Sequence, residues 1–173
     1  MNTVKKTEIE RKFLMRDLPM DVVYDDIIFI QQFYIPANIE GPNRVRFNFN
    51  TIAVPNTFIP RKGELRDMEV IDKLNIMPGV NEESHYSITE KEAWEYATQY
   101  ERVLNKIRFV WHDRIQDLKF EIDYFKDIRF VLLEVEVDDL KRKIDFPPFI
   151  EREMVGEVTG NKLFNSFNLA YKK

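Results

Sequence analysis

The run KIRFVWHDRIQDLKFEIDYFKDIRFVLLEVEV, residues 106–137, decides the fold. Successive side chains of a strand point to opposite faces, so the two alternating phases can be read apart. One phase is apolar: Ile107, Phe109 and Trp111; Leu118, Phe120, Ile122 and Tyr124; Val131, Leu133, Val135 and Val137. The other is ionic: Lys106 and Arg108; Lys119, Glu121 and Asp123; Glu134, Glu136 and Asp138. Polar turns around Asp113-Arg114 and Lys126-Asp127 join the segments at lengths that suit antiparallel hairpins.

Outward from this run the pattern recurs. Glu8, Glu10 and Lys12 share one face of a strand at 8–14, and Arg44 and Arg46 share one face of 44–49, with Val45 and Phe47 opposite. Further strands are expected at 27–35, at 68–74 and, more weakly, at 85–88, which with 106–112, 118–124 and 130–137 makes eight. TEKEAWEYATQYERVL, residues 89–104, reads as a helix. Thr89 and Glu92 have capping-box spacing, and Ala93, Trp94, Ala97, Tyr100 and Leu104 fall on one face. Leu163, Phe164, Phe167 and Tyr171 suggest a short C-terminal amphipathic helix, set apart from the last strand by Pro147-Pro148. Residues 50–67 hold two Pro and one Gly without a period and read as a long loop. The expected class is α+β, mainly antiparallel β, in a single domain spanning 1–173.

Composition supports a folded chain of that size. Hydrophobic residues make up 44% of the 173 positions and there are 14 Phe against 5 Gly, which excludes collagen-like or long disordered stretches. With no Cys and two His, disulfides, thiolate zinc sites and thiol nucleophiles are excluded, so any metal would be held by oxygen. A net charge of −4 argues against bulk binding of nucleic acid. Charges within a dozen residues of Met1 leave no signal-peptide core, and no run is long and apolar enough to span a membrane, so a cytoplasmic location is expected.

A charged phase on one strand is the ordinary solvated face. Five strands that group like charges two residues apart are harder to explain that way, because a surface selected for solubility intersperses the signs. Carboxylate clusters hold hard divalent cations, and Arg and Lys hold phosphate oxygens, so a metal-bound polyphosphate matches both sets. If the sheet curls so that this face lines a tunnel, the charges need bound partners, and eight strands is about the number that encloses one small ligand.

Glu8-x-Glu10-x-Lys12 within TEIERKFL resembles the signature of the CYTH superfamily, the triphosphate tunnel metalloenzymes. The resemblance continues in Gln32-Phe33-Tyr34, Arg44-Val45-Arg46, Lys73, Lys106-Ile107-Arg108, Phe120-Glu121-Ile122-Asp123, Leu133-Glu134-Val135-Glu136, and Pro147-Pro148-Phe149 with Glu157-Val158-Thr159 and Lys162. It implies an eight-stranded β-barrel tunnel with flanking helices and metal-dependent hydrolysis, by Mg²⁺ or Mn²⁺, of the terminal phosphate of a linear triphosphate, inorganic tripolyphosphate first. It further implies that Lys12, Arg44, Arg46, Lys73, Lys106, Arg108 and Lys162 grip the triphosphate. Glu8, Glu10, Asp123, Glu134 and Glu136 would serve the metal, with Glu8 or Glu10 activating water. Without metal, neighbouring carboxylates are expected not all to stay ionised at neutral pH.

The chain departs from the family pattern at His85-Tyr86-Ser87, where an acidic pair is common on the fifth strand, and at Leu163-Phe164-Asn165-Ser166 after Lys162. His85 reads as a structural or rim residue, and Phe164 and Phe167 as core. A class IV adenylyl cyclase and a catalytically weak polyphosphate- or nucleotide-binding module stand as alternatives. A homodimer is expected from the resemblance alone.

Overall fold

The computed structural model describes residues 3–38 and 42–172. Eight antiparallel strands close on themselves: β1 (Thr3–Met15), β2 (Asp26–Tyr34), β3 (Arg44–Ile52), β4 (Arg61–Met77), β5 (Val80–Tyr86), β6 (Arg102–Asp113), β7 (Leu118–Phe125) and β8 (Phe130–Glu136). Around the barrel the order is β6-β2-β3-β4-β5-β1-β8-β7, and pairing of β7 with β6 completes the ring. β1 is shared along its length: residues 3–9 pair with β5 and residues 10–15 with β8.

The barrel is apolar outside and ionic inside. On the β1, β6, β7 and β8 side, Phe13, Phe109, Phe120, Ile122, Leu133 and Val135 form an outer core, covered by Ile144 and by Ile150 of helix α2 (Pro148–Glu153). On the opposite side Val45, Phe47 and Val70 pack against Ala93 and Ala97 of helix α1 (Glu90–Ala97), and Trp94 stacks on Phe47 with ring centroids 3.8 Å apart. Burying these faces from water supplies the driving force that lets the inner face stay charged. Tyr34, Leu104, Phe125, Leu132 and Ala170 form a third cluster, packed against Phe130 and Phe164, whose rings stack.

Several expected boundaries shift. Residues 50–67 are mostly strand: β3 and β4 continue as a hairpin arm with register shifts at Asn48/Phe49 and Phe49/Thr51. Those bulges, and Gly63 where a Cβ would sit 2.8 Å from the Asn50 carbonyl oxygen, broke the period. The capping box of Thr89 and Glu92 is present, but α1 ends at Ala97. The Thr98 hydroxyl donates back to the Glu95 carbonyl at 2.7 Å, and Leu104 is taken into β6 opposite Gln32. The expected C-terminal helix is instead a 3-10 turn (Lys162–Phe164), a one-turn helix α3 (Ser166–Leu169) and a strand β10 (Tyr171–Lys172) on β6. Before it, a short β9 (Met154–Glu157) pairs with β1. Among the described residues no helix is long and apolar enough to cross a membrane.

The Pro78-Gly79 turn locks this closure to the inner face. Gly79 has φ +76°, its carbonyl accepts from the Glu10 amide at 2.8 Å, and a Cβ there would lie 2.9 Å from the Glu10 carbonyl oxygen. Gly79→Ala is expected to cost about 2 kcal/mol or more from the left-handed backbone and the clash, lowering the melting temperature by roughly 4–8 °C. Unchanged thermal unfolding would show the turn to be slack.

Candidate functional site

The ionic face encloses a cavity of about 890 Å³, lined by nine Lys and Arg side chains and eight Glu. Six of the seven expected gripping cations are strand residues: Lys12 on β1, Arg44 and Arg46 on β3, Lys73 on β4, and Lys106 and Arg108 on β6; all six line it. Lys162 reaches the same space from the 3-10 turn, and its ammonium has no partner among the described residues. Glu8, Glu10, Glu134 and Glu136 line it too.

At four register positions, opposite charges face each other across neighbouring strands. Lys12 lies opposite Glu134, Arg108 opposite Asp123, Arg46 opposite Glu69 and Lys73 opposite Glu83. Each register pair is an ion pair: Lys12 Nζ to Glu134 at 2.8 Å, Arg108 Nε to Asp123 at 2.7 Å, Arg46 Nη1 to Glu69 at 2.9 Å and Lys73 Nζ to Glu83 at 3.2 Å. Opposite charges directly across a ladder stabilise it, and in a poorly solvated interior such pairing is what makes the charges tolerable.

Asn81, Glu83, Glu69 and Glu121, absent from the expected set, also line the cavity, as do Lys6, Lys119 and Glu101. Glu83 and Asn81 were missed because β5 starts at Val80, so its inward phase is Asn81-x-Glu83-x-His85. The apparent lack of acid on the fifth strand is thereby corrected: Glu83 is buried and takes Arg44, Lys73 and His85, each at 3.2 Å. The Pro78-Gly79 turn ahead of it was the sequence signal. His85 sits at the rim, as expected. Phe164 is core, but Phe167 is 39% exposed, lines the cavity edge-on to Tyr34 and carries the Arg102 guanidinium over its ring at 4.7 Å.

Asp123 stands apart. It is fully buried, and its two oxygens accept from Lys106 Nζ at 2.5 Å and from Arg108 Nε and Nη2 at 2.7 Å each. It is absent from the cavity wall, so its direct contacts are with two cations and a metal in the cavity would not reach it. Arg108 also holds Glu121 and, at 2.6 Å, Glu134.

Protonation follows from this interleaving. Burial alone would raise the carboxyl of Glu134, but Lys12, Lys106 and Arg108 hold it well below its usual range. Glu121, likewise buried, is drawn down to about 2 by Arg108 and Lys119, and Glu83 is lowered by Lys73 and Arg44 against its burial. These three therefore stay ionised, contrary to the expectation for crowded carboxylates. Glu8 follows that expectation: burial, with Glu10 nearby, raises it in spite of Lys73. Among cations, burial and the neighbouring Arg108 lower Lys106 to about 8, whereas Lys12 is raised because Glu134 and Glu10 outweigh its burial.

Among the described residues there is no group of three or more acidic or His side chains that could hold a metal ion. The donors do converge in a pair: the Asn81 amide donates to Glu10 at 3.1 Å and to Glu8 at 3.5 Å, and Lys73 hydrogen-bonds Glu8 and lies 3.6 Å from Glu10. Two carboxylates around one ammonium fit a hard cation that arrives with phosphate oxygens of its own, the usual manner for Mg²⁺, and do not fit a resident all-protein site.

No family model and no curated protein matches the chain. Among solved structures, the crystal structure of the hypothetical protein NE1496 is similar, with 20% identity, a TM-score of 0.49, and coverage of 94% of this chain and 97% of that one.

The pH dependence of stability follows from the lowered carboxyls. Their folded-state pKa lies below the ordinary 4.5, so their contribution is complete above that value and is lost as pH falls toward about 2. Denaturant midpoints are expected to fall steadily between pH 5 and pH 2.5, and less steeply in Glu121→Gln. A wild-type midpoint flat over that range would contradict the ion-pair assignment.

Proposed function

We propose that the chain is a metal-dependent triphosphatase of the CYTH type, releasing the terminal phosphate of a linear triphosphate, with inorganic tripolyphosphate as first substrate. The observation that carries this reading is a balanced ionic cavity within a closed barrel, whose cations come from five barrel strands and the C-terminal turn. A chain of phosphates can be met from all sides there, and positioning with charge stabilisation is most of what phosphoryl transfer asks of a protein.

In this reading Arg44, Arg46, Lys73, Lys106 and Arg108 grip the phosphates along the tunnel, Lys12 does so beside Glu10 and Glu134, and Lys162 closes on the chain from the mouth. Arg44 Nε is buried without a hydrogen-bond acceptor, a shortfall that a phosphate oxygen would relieve. Glu8 and Glu10 would hold Mg²⁺ or Mn²⁺ brought in with the substrate, with Glu134 and Glu136 opposite β1. The metal when bound would neutralise charge on the phosphate oxygens. Lys73 would exchange its glutamate partners for phosphate as substrate enters. Glu8, whose carboxyl burial raises above its usual range, would orient and deprotonate the attacking water. Asp123 would serve by holding Lys106 and Arg108 in place.

A second reading, an organic triphosphate substrate for hydrolysis or for cyclisation to cyclic AMP, is favoured by one feature. Tyr34, Ile35, Ala37 and Phe167 give part of the cavity an apolar wall that inorganic triphosphate would not use.

Purified protein incubated with tripolyphosphate, ATP, GTP or thiamine triphosphate, with Mg²⁺, Mn²⁺ or EDTA, separates these. Expected is orthophosphate release that requires metal and falls about 10²-fold or more in Glu10→Ala with the fold retained. Pyrophosphate with cyclic AMP would replace this reading by the cyclase, and tight binding without turnover would replace it by a binding module.

A further inference from the structure

Gln32 and Tyr34 face inward on β2 amid the charged set, yet neither is ionic. Gln32 is fully buried and absent from the cavity wall. Its Oε1 accepts from Arg46 Nε at 3.1 Å, and its side-chain NH₂ donates to the Tyr34 hydroxyl. The amide has one acceptor and two donors, so these partners fix which way it faces. Tyr34 is buried in turn, hydrogen-bonds Ser166 at the start of α3 and packs edge-on against Phe167 at 5.2 Å.

Arg46 is thereby held at two of its three nitrogens: Nε on Gln32 and Nη1 on Glu69. Its Nη2 takes no hydrogen bond among the described residues, and the side chain lines the cavity. A guanidinium is planar, so fixing two nitrogens fixes the direction of the third. A neutral amide does this without cancelling charge, which a carboxylate at Gln32 would do.

We propose that Gln32 is a positioning residue for Arg46, aiming its open edge into the tunnel, and that Tyr34 holds the Gln32 amide and ties it to the C-terminal segment carrying Lys162. What Arg46 grips rests on the triphosphatase reading; the geometry of the relay does not. Gln32 touches no ligand in this arrangement, and its effect on binding passes through Arg46 alone.

The test is a double-mutant cycle on the affinity for Mg²⁺-tripolyphosphate, measured by calorimetry with melting temperatures alongside. Gln32→Met keeps the volume and removes both hydrogen bonds. Loss of a hydrogen bond to a charged group predicts roughly tenfold weaker binding, a smaller loss in Tyr34→Phe, and no further loss when Gln32→Met is added to Arg46→Met. Unchanged affinity in Gln32→Met, or losses that simply add, overturns the proposal even if the variants melt lower. A wild-type protein that takes up no tripolyphosphate overturns the triphosphatase reading instead. The relay is then judged by NMR of the free protein. The Arg46 Nε–H signal is expected to exchange slowly in wild type and faster in Gln32→Met and Tyr34→Phe. Rapid exchange in wild type overturns it, and wild type with Tyr34→Phe decides the matter if Gln32→Met does not fold.

Discussion

Opposite charges facing each other across the inner ladder are the constraint on which the rest of the molecule depends. Ions removed from water cost several kcal/mol each unless matched, and a barrel with an ionic interior cannot match them with solvent alone. The register meets much of this demand, pairing Lys12 with Glu134, Arg108 with Asp123, Arg46 with Glu69 and Lys73 with Glu83, and where it sets Glu121 opposite Glu134 the Arg108 guanidinium holds both. A slip of one residue on any of these strands would turn its charges into the outer core and its aromatics into the tunnel. Fold and site are therefore specified by the same alternation.

That dependence explains how much was legible in the sequence. The ionic and apolar phases of 106–137 predict both faces of β6, β7 and β8, and the closed eight-stranded barrel bears out the expected fold. All seven cations expected to grip a ligand, and the expected metal carboxylates other than Asp123, line one cavity. What could not be read were the features set by neighbours. The hairpin arm of β3 and β4 hides behind bulges and a close backbone approach at Gly63. Leu104 fits a helical stripe with Ala97 and Tyr100, yet pairing with Gln32 places it in a strand. Glu83 and Asn81 escaped notice because the fifth strand begins five residues earlier than its weak pattern suggested.

Asp123 shows a different limit. Its place in the acidic phase of β7 is evident from sequence, but its burial behind Lys106 and Arg108 is not, since that depends on how far each side chain reaches into the tunnel. The structure makes it an anchor for two cations. The same holds for Gln32: a neutral residue in a charged phase is unremarkable until its amide is seen to bridge Arg46 and Tyr34. Pairing also sets protonation, leaving Glu83, Glu121 and Glu134 ionised while Glu8 is raised.

An interior paired this extensively admits an anion largely by exchange, in which phosphate oxygens take over cations, starting from the open Lys162 ammonium and Arg44 Nε, and something positive takes over the carboxylates. A metal-borne triphosphate meets both conditions. The most direct measurement is a crystal structure with Mn²⁺ and a non-hydrolysable imido analogue of tripolyphosphate, using the anomalous signal of manganese. The analogue is expected inside the tunnel against Arg44, Arg46, Lys73 and Arg108, with manganese between it and Glu8 and Glu10. An undisturbed set of ion pairs with an empty tunnel, or the analogue bound on the outer surface, would contradict this.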